Sequence, residues 1–179
     1  MSDSDQLISQ LQRCPLGMGG CHAFETVCVD ILTHLFVPPL CPPILQARTL
    51  SGIDRRDAIF PNRNFQGSNH WANLLHELNA RMILFEFKNY DKSTVGKEDV
   101  DQACGYMREP MGRLGIIVTK TPPSQPALIR RNSVFNQSRK VILFITPADL
   151  IEMLNRKDLG KEPSDVIVDL LEAFYIQHE

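Results

Sequence analysis

No run of apolar residues in this 179-residue chain approaches the roughly 20 that a membrane-spanning helix needs. Charge of one sign is missing too. Nineteen lysines and arginines face 21 aspartates and glutamates, for a formal net charge of -2. Composition therefore carries no general attraction to nucleic acid or a lipid surface, and a polyanionic partner has to be met by a local basic patch or by another domain. Cysteine is sparse and odd in number. Of the five, Cys14, Cys21 and Cys28 are seven apart, which is not the paired spacing of zinc ligands. They read as reduced thiols in a cytosolic compartment. The opening "MSDSDQL" is polar and acidic and lacks the charged-then-apolar pattern of a secretory leader. No internal repeat or low-complexity segment is visible. The chain is 43% hydrophobic, which suits one domain with a full core. We expect a single cytoplasmic domain over residues 21–179, preceded by a flexible or irregular arm over 1–20.

Apolar residues recur at helical spacing from Cys21 to Phe36, with Phe24, Val27, Cys28, Ile31, Leu32 and Leu35 on one stripe. "VPPLCPPI" breaks that helix and predicts a rigid, extended connection. Short strands are expected at "LQARTL" and at "DAIFP", which starts at Asp57. A helix follows over 69–80, then the strand "RMILFEFK", a helix in "GKEDVDQACGYMRE" and a buried strand in "RLGIIVTK". "TPPSQPALIRR" predicts a short helix, "KVILFIT" a strand, and two helices close the chain near 147–156 and 163–177. Strands alternating with helices give an α/β domain with a mixed sheet.

The strand "ILFEFK" poses a problem. Residues two apart share a strand face, so Glu86 and Lys88 point the same way out of an apolar run. Burying a charge costs several kcal/mol unless it is paired or bound to a metal. Asp57, at the start of a strand that can neighbour this one, is the natural partner. Two carboxylates and an amine make a workable phosphodiester-cleaving site. The acids, with the Phe87 carbonyl, suit a hard divalent cation such as Mg²⁺, and Lys88 can orient water and offset charge on phosphorus. The plainer alternative is a salt bridge between strand ends without chemistry.

The order Asp57, then Glu86-Phe87-Lys88, resembles the PD-(D/E)XK nuclease superfamily, in which a metal-binding Asp precedes an E-x-K strand. "CHAFETVCVDIL" is similar to the first helix of the superfamily's Mrr-like restriction-endonuclease group, whose Glu would here be Glu25. "DQACGY" looks like the Q-x-x-x-Y helix of several nuclease branches, with Gln102 and Tyr106 on one helix face. "GRLGIIVTK" and "KVILFITPADLIEML" resemble later elements of the same group, so the likeness runs from about residue 21 to 156. It implies a restriction-endonuclease-like mixed sheet with helices on both faces. It also implies a Mg²⁺-dependent endonuclease, with Mn²⁺ as a substitute, acting on DNA in bacterial restriction or antiviral defence. RNA or tRNA cleavage by the same fold, or a non-catalytic nucleic-acid-binding scaffold, are the alternatives. The resemblance assigns catalytic roles to Asp57, Glu86, Lys88, Glu25, Gln102 and Tyr106, with Asp57, Glu86, Glu25 and the Phe87 carbonyl around the metal. The family's usual Pro before the metal-binding Asp is replaced by Arg56. Asp54, in "GID", competes with Asp57, but Asp57 leads directly into the strand.

Arg55, Arg56 and Arg63 flank that acid and are candidates to track a nucleic-acid backbone. Arg130, Arg131, Arg139 and Lys140 form a second candidate patch, and Asn89 and Tyr90, which follow the strand directly, are candidates to contact the nucleic acid. Trp71 reads as a core residue. With so little net charge, tight binding is expected to need a homodimer or a larger protein or complex.

Overall fold

The computed structural model describes residues 2–178. Five strands form one sheet in chain order: β1 (Ile44–Arg48), β2 (Arg55–Pro61), β3 (Met82–Lys88), β4 (Leu114–Thr119) and β5 (Val141–Ile145). The first three pair antiparallel, whereas β3–β4 and β4–β5 pair parallel. Parallel neighbours need crossovers, and helices supply them. The helices are α1 (Asp3–Arg13), α2 (Cys21–Phe36), α3 (His70–Leu78), α4 (Lys97–Tyr106), α5 (Gln125–Ser138), α6 (Pro147–Asp158) and α7 (Asp165–Gln177). The architecture is α/β, a mixed sheet flanked by helices on both faces, as the alternation of elements predicts.

Period-two alternation divides the apolar residues between two cores. Ile83, Phe85, Ile116 and Leu143 pack with Phe24 and Ile31 of α2, Trp71 of α3, Met153 of α6 and Ile167 of α7. Leu84, Ile117 and Ile142 face the other way, onto Val100 and Ala103 of α4 and Val134 of α5. β4 is buried along its whole length, which is why "LGIIVT" reads as an unbroken apolar run. The stripe expected on α2 is the face it buries. Among the described residues, no helix is long and apolar enough to cross a membrane.

Two segments differ from the expectation. Residues 3–13 are a helix and not an irregular arm. Ser2 and Asp5 form a capping box, and Ser4 Oγ donates to Asp158 Oδ1 at 2.6 Å, fixing α1 to the end of α6. Only Ser4 and Leu11 are fully buried on α1, so its apolar stripe is too thin to stand out in a polar segment. α5 runs for 14 residues, because Ser124 caps it and nothing interrupts it before Arg139.

Trp71 is 1% exposed and meets Phe36 edge-on, with ring centroids 4.8 Å apart. Trp71→Ala should cost about 3–5 kcal/mol, read as a lower urea midpoint with an unchanged slope.

Candidate active site

The functional geometry begins where hydrogen-bond ladders fail. β2 and β3 pair from Pro61–Met82 to Ala58–Phe85 and then stop. On the other side, β1 and β2 pair at Leu45–Ala58 and again at Ala47–Arg56, skipping the step between Gln46 and Asp57. Gln46 has φ 50, a left-handed conformation uncommon outside glycine. Asp57 is thus left without a ladder partner in either direction. Its side chain takes over the missing role: Phe87 N–H donates to Asp57 Oδ2 at 3.0 Å, and Asp57 N–H donates to Glu86 Oε1 at 3.4 Å.

The same step re-aims the strand. Ala58 packs in the core beneath α2, yet Arg56, two residues away, donates to the Tyr106 carbonyl on α4 at 3.2 and 3.1 Å. Local ladder breaks of this kind recur beside functional sites. Along the Phe87 edge, N–H and C=O face the same neighbour in an antiparallel arrangement. The Phe87 carbonyl is therefore directed at the gap that Asp57 occupies.

Glu86 is 3% exposed, and its carboxyl is pushed up to about 8, first by burial and then by the negative charge of Asp57. Lys88, the Asp57 N–H and Arg56 oppose that rise. Lys88 Nζ lies 3.9 Å from Glu86 Oε2 and 3.5 Å from Asp99 Oδ1. It donates to Gln102 Oε1 at 2.8 Å, and Gln102 Nε2 donates to Tyr106 Oη at 3.0 Å. One face of α4 therefore fixes the amine. Asp99 in turn accepts from Tyr90 Oη at 2.7 Å and from the Gly96 N–H at 2.9 Å.

Glu25 reaches the region from α2, in the opposite layer. Gln46 Nε2 donates to its carboxylate. Its pKa is raised, by burial first and by Asp57 second, with Gln46, His22 and Arg55 acting the other way. Six residues assigned from sequence are thus drawn to one end of the sheet in two groups. Asp57, Glu86, Lys88, Gln102 and Tyr106 form a connected set, and Glu25 adjoins Asp57 through the field between them. Asp54 instead pairs with Arg108 Nη2 at 3.2 Å.

Among the described residues, no group of three or more His, Cys, Asp and Glu side chains is close enough to hold a metal ion. Glu25 therefore does not join Asp57 and Glu86 as a third carboxylate, a departure from the expected donor set. What remains is the neighbouring pair Asp57 and Glu86, on the edge toward which strand geometry directs the Phe87 carbonyl. That set fits Mg²⁺, which commonly binds through one or two carboxylates and keeps water and substrate phosphate for the rest of its shell. A buried acid beside a half-buried one, each repelling the other, is the electrostatic complement of such a cation.

Several expected nucleic-acid contacts lie elsewhere. Arg56 is 6% exposed and spent on Tyr106. Asn89 is 3% exposed, its amide donating to Pro15 O and Gly17 O at 3.0 and 3.1 Å. Arg130 is bound to Asp101 at 2.6 Å. Arg131 lies over the Phe174 and Phe144 rings, at 4.7 and 5.6 Å, and burial lowers its pKa. Arg139 stacks on Phe135, and Lys140 donates to the Cys104 carbonyl at 3.0 Å, so these four do not make a free basic patch. Arg55 and Arg63 remain exposed. Two participants escaped the sequence reading. Gln46 has no sequence signal, but Asp99 does: it stands three and seven residues before Gln102 and Tyr106, on the same helical face.

No family model matches this chain. The putative transposon gamma-delta 80.3 kDa protein of Escherichia coli (strain K12) is 26% identical over 168 residues, which are 90% of this chain and 23% of that protein. The chain thus spans about a quarter of the length of that relative, whose name states no activity.

A glutamate in an unfolded chain releases its proton near 4.5, whereas folded Glu86 holds it to about 8. Between those values the folded state binds more protons than the unfolded one, so this carboxyl subtracts stability as pH rises. Glu86→Gln should leave stability at pH 5 nearly unchanged. At pH 8 it should raise stability by on the order of a few kcal/mol, flattening the pH dependence of thermal melts.

Proposed function

We propose that this chain is a metal-dependent nuclease that hydrolyses phosphodiester bonds, with DNA as the favoured substrate, on the plan of the PD-(D/E)XK superfamily it resembles. The observation that supports this reading most is the meeting of Asp57 and Glu86 at the broken end of the β2–β3 ladder, with the Lys88 ammonium 3.9 Å from Glu86. A bound Mg²⁺ would polarise the scissile phosphate and acidify a coordinated water. Asp57, Glu86 and the Phe87 carbonyl are the groups that would hold it.

The chain's own work is positioning. Lys88, held by Gln102 and braced by Asp99, presents an ammonium beside the acids, where it can hydrogen-bond the attacking water and attract charge developing on the phosphoryl oxygens. Tyr106 keeps Gln102 oriented by accepting its amide hydrogen. Arg56 ties β2 to the end of α4 and so fixes the width of the gap. Asp57, anchored by the Phe87 N–H, would offer a cation a carboxylate already oriented, which lowers the entropic cost of assembling the site.

The test is incubation with plasmid DNA, linear DNA and labelled RNA in Mg²⁺ or Mn²⁺. Wild-type protein should cleave DNA, and Lys88→Ala or Glu86→Ala should slow cleavage by about 100-fold or more. Cleavage that persists undiminished in both variants would sink the assignment, and cleavage confined to RNA would move it to the other polymer.

A further inference from the structure

A cleft of about 670 Å³ runs between α2 and the edge formed by β1 and β2. His22, Glu25 and Val29 line one wall, and Leu45, Arg48 and Arg55 the other. Its inner end is the Glu25–Gln46 hydrogen bond, and Glu25 lies within the field of Asp57. The cleft therefore ends at Glu25, the residue that adjoins Asp57.

Arg48 and Arg55 are cross-strand partners in the β1–β2 pairing. Like charges set directly opposite each other destabilise an antiparallel pair. Both side chains are exposed, and among the described residues neither takes part in an ion pair. Nearby arginines are treated differently: Arg56 is given the Tyr106 carbonyl, and Arg108 the Asp54 carboxylate. Arg55 does lie close enough to Glu25 to favour its ionised form, but without a direct contact. Two repelling guanidinium groups in one wall are satisfied by an anion shared between them. Their planar forks match phosphate oxygens. Leu45, half exposed on the same wall, offers apolar surface beside them.

We propose that Arg48 and Arg55 together grip a backbone phosphate of a polynucleotide, next to the phosphate cleaved, with the intervening nucleoside lying along Leu45 and Val29. This rests on the nuclease reading of the Asp57–Glu86–Lys88 site. It adds a second anchoring point and a direction for the strand, from the acids outward between α2 and β1.

Binding of fluorescent duplex DNA, single-stranded DNA and RNA is measured by anisotropy across a salt series, in the Lys88→Ala background with Mg²⁺. Adding Arg48→Ala and Arg55→Ala together should weaken binding about tenfold or more. The slope of log affinity against log salt should become shallower by about 0.7 to 0.9 for the one phosphate released. Lys161→Ala, an exposed cation on the α6–α7 connection, serves as the control and should change neither. Because the two arginines repel, the double variant should melt no lower than its parent, which separates weaker binding from lost folding. The polymer that shows the change in slope identifies the source of the phosphate. Unchanged affinity and slope in the double variant overturn the proposal, as does failure of every polymer to bind. Arginine-dependent binding with no cleavage by wild-type protein upholds the grip and removes the catalytic reading instead.

Discussion

Asp57 and Glu86 are held at the step where β2 loses both of its neighbours, and burial brings their negative charges to bear on each other there. Neither acid can move away, because the backbone itself secures them. The Phe87 N–H anchors Asp57, and the Asp57 N–H reaches toward Glu86. Ordinary strand pairing would have used these same groups. The sheet gives up its regular bonds at this point and recovers them through side chains, which keeps the polar backbone satisfied while concentrating charge. Burial first, and the charge of Asp57 second, hold the Glu86 proton to about 8.

The surroundings follow from that constraint. Lys88 cannot neutralise Glu86 by close contact, because α4 draws its ammonium toward Gln102 and Asp99. Glu25, from the opposite layer, is steadied by Gln46, the residue whose left-handed backbone interrupts the ladder. A single irregular residue therefore does two things: it frees Asp57 and it supplies a donor to Glu25. Such non-glycine strain persists only where the neighbouring structure over-determines it. The paired strands on either side of Gln46 and the helix above it provide that determination.

Much of this was legible in the residue order. The strands stood out because β3, β4 and β5 are nearly continuous apolar runs. Glu86 and Lys88 were conspicuous because two charges had no other reason to interrupt one. The α2 stripe and the Gln102–Tyr106 spacing were plain helical periodicity. What could not be read was the break in alternation at Asp57. Nothing in "LQAR" or "RRDA" marks a backbone reversal, since the left-handed residue is a glutamine and not a glycine. That break turns Arg56 inward, so an arginine that looks like a phosphate ligand beside an acid becomes a clamp on α4. Asn89 was misplaced for a related reason. Adjacency to Lys88 suggested access to substrate, but the loop over 15–20 folds across it, and that loop is set by contacts distant in sequence.

The last of these contacts links two regions that otherwise have little to do with each other. Asn89 follows Lys88 immediately, and its amide holds both Pro15 and Gly17, while the Gly17 N–H donates back to the Asn89 carbonyl at 3.0 Å. Gly17 sits at φ 80, and a Cβ at Gly20 would lie 1.9 Å from the Pro15 oxygen, so the loop has no slack to absorb displacement. A displacement of this loop would therefore be felt at Asn89, the residue beside the Lys88 amine. The loop ahead of α2 and the end of β3 that carries Glu86 and Lys88 are thus one mechanical unit.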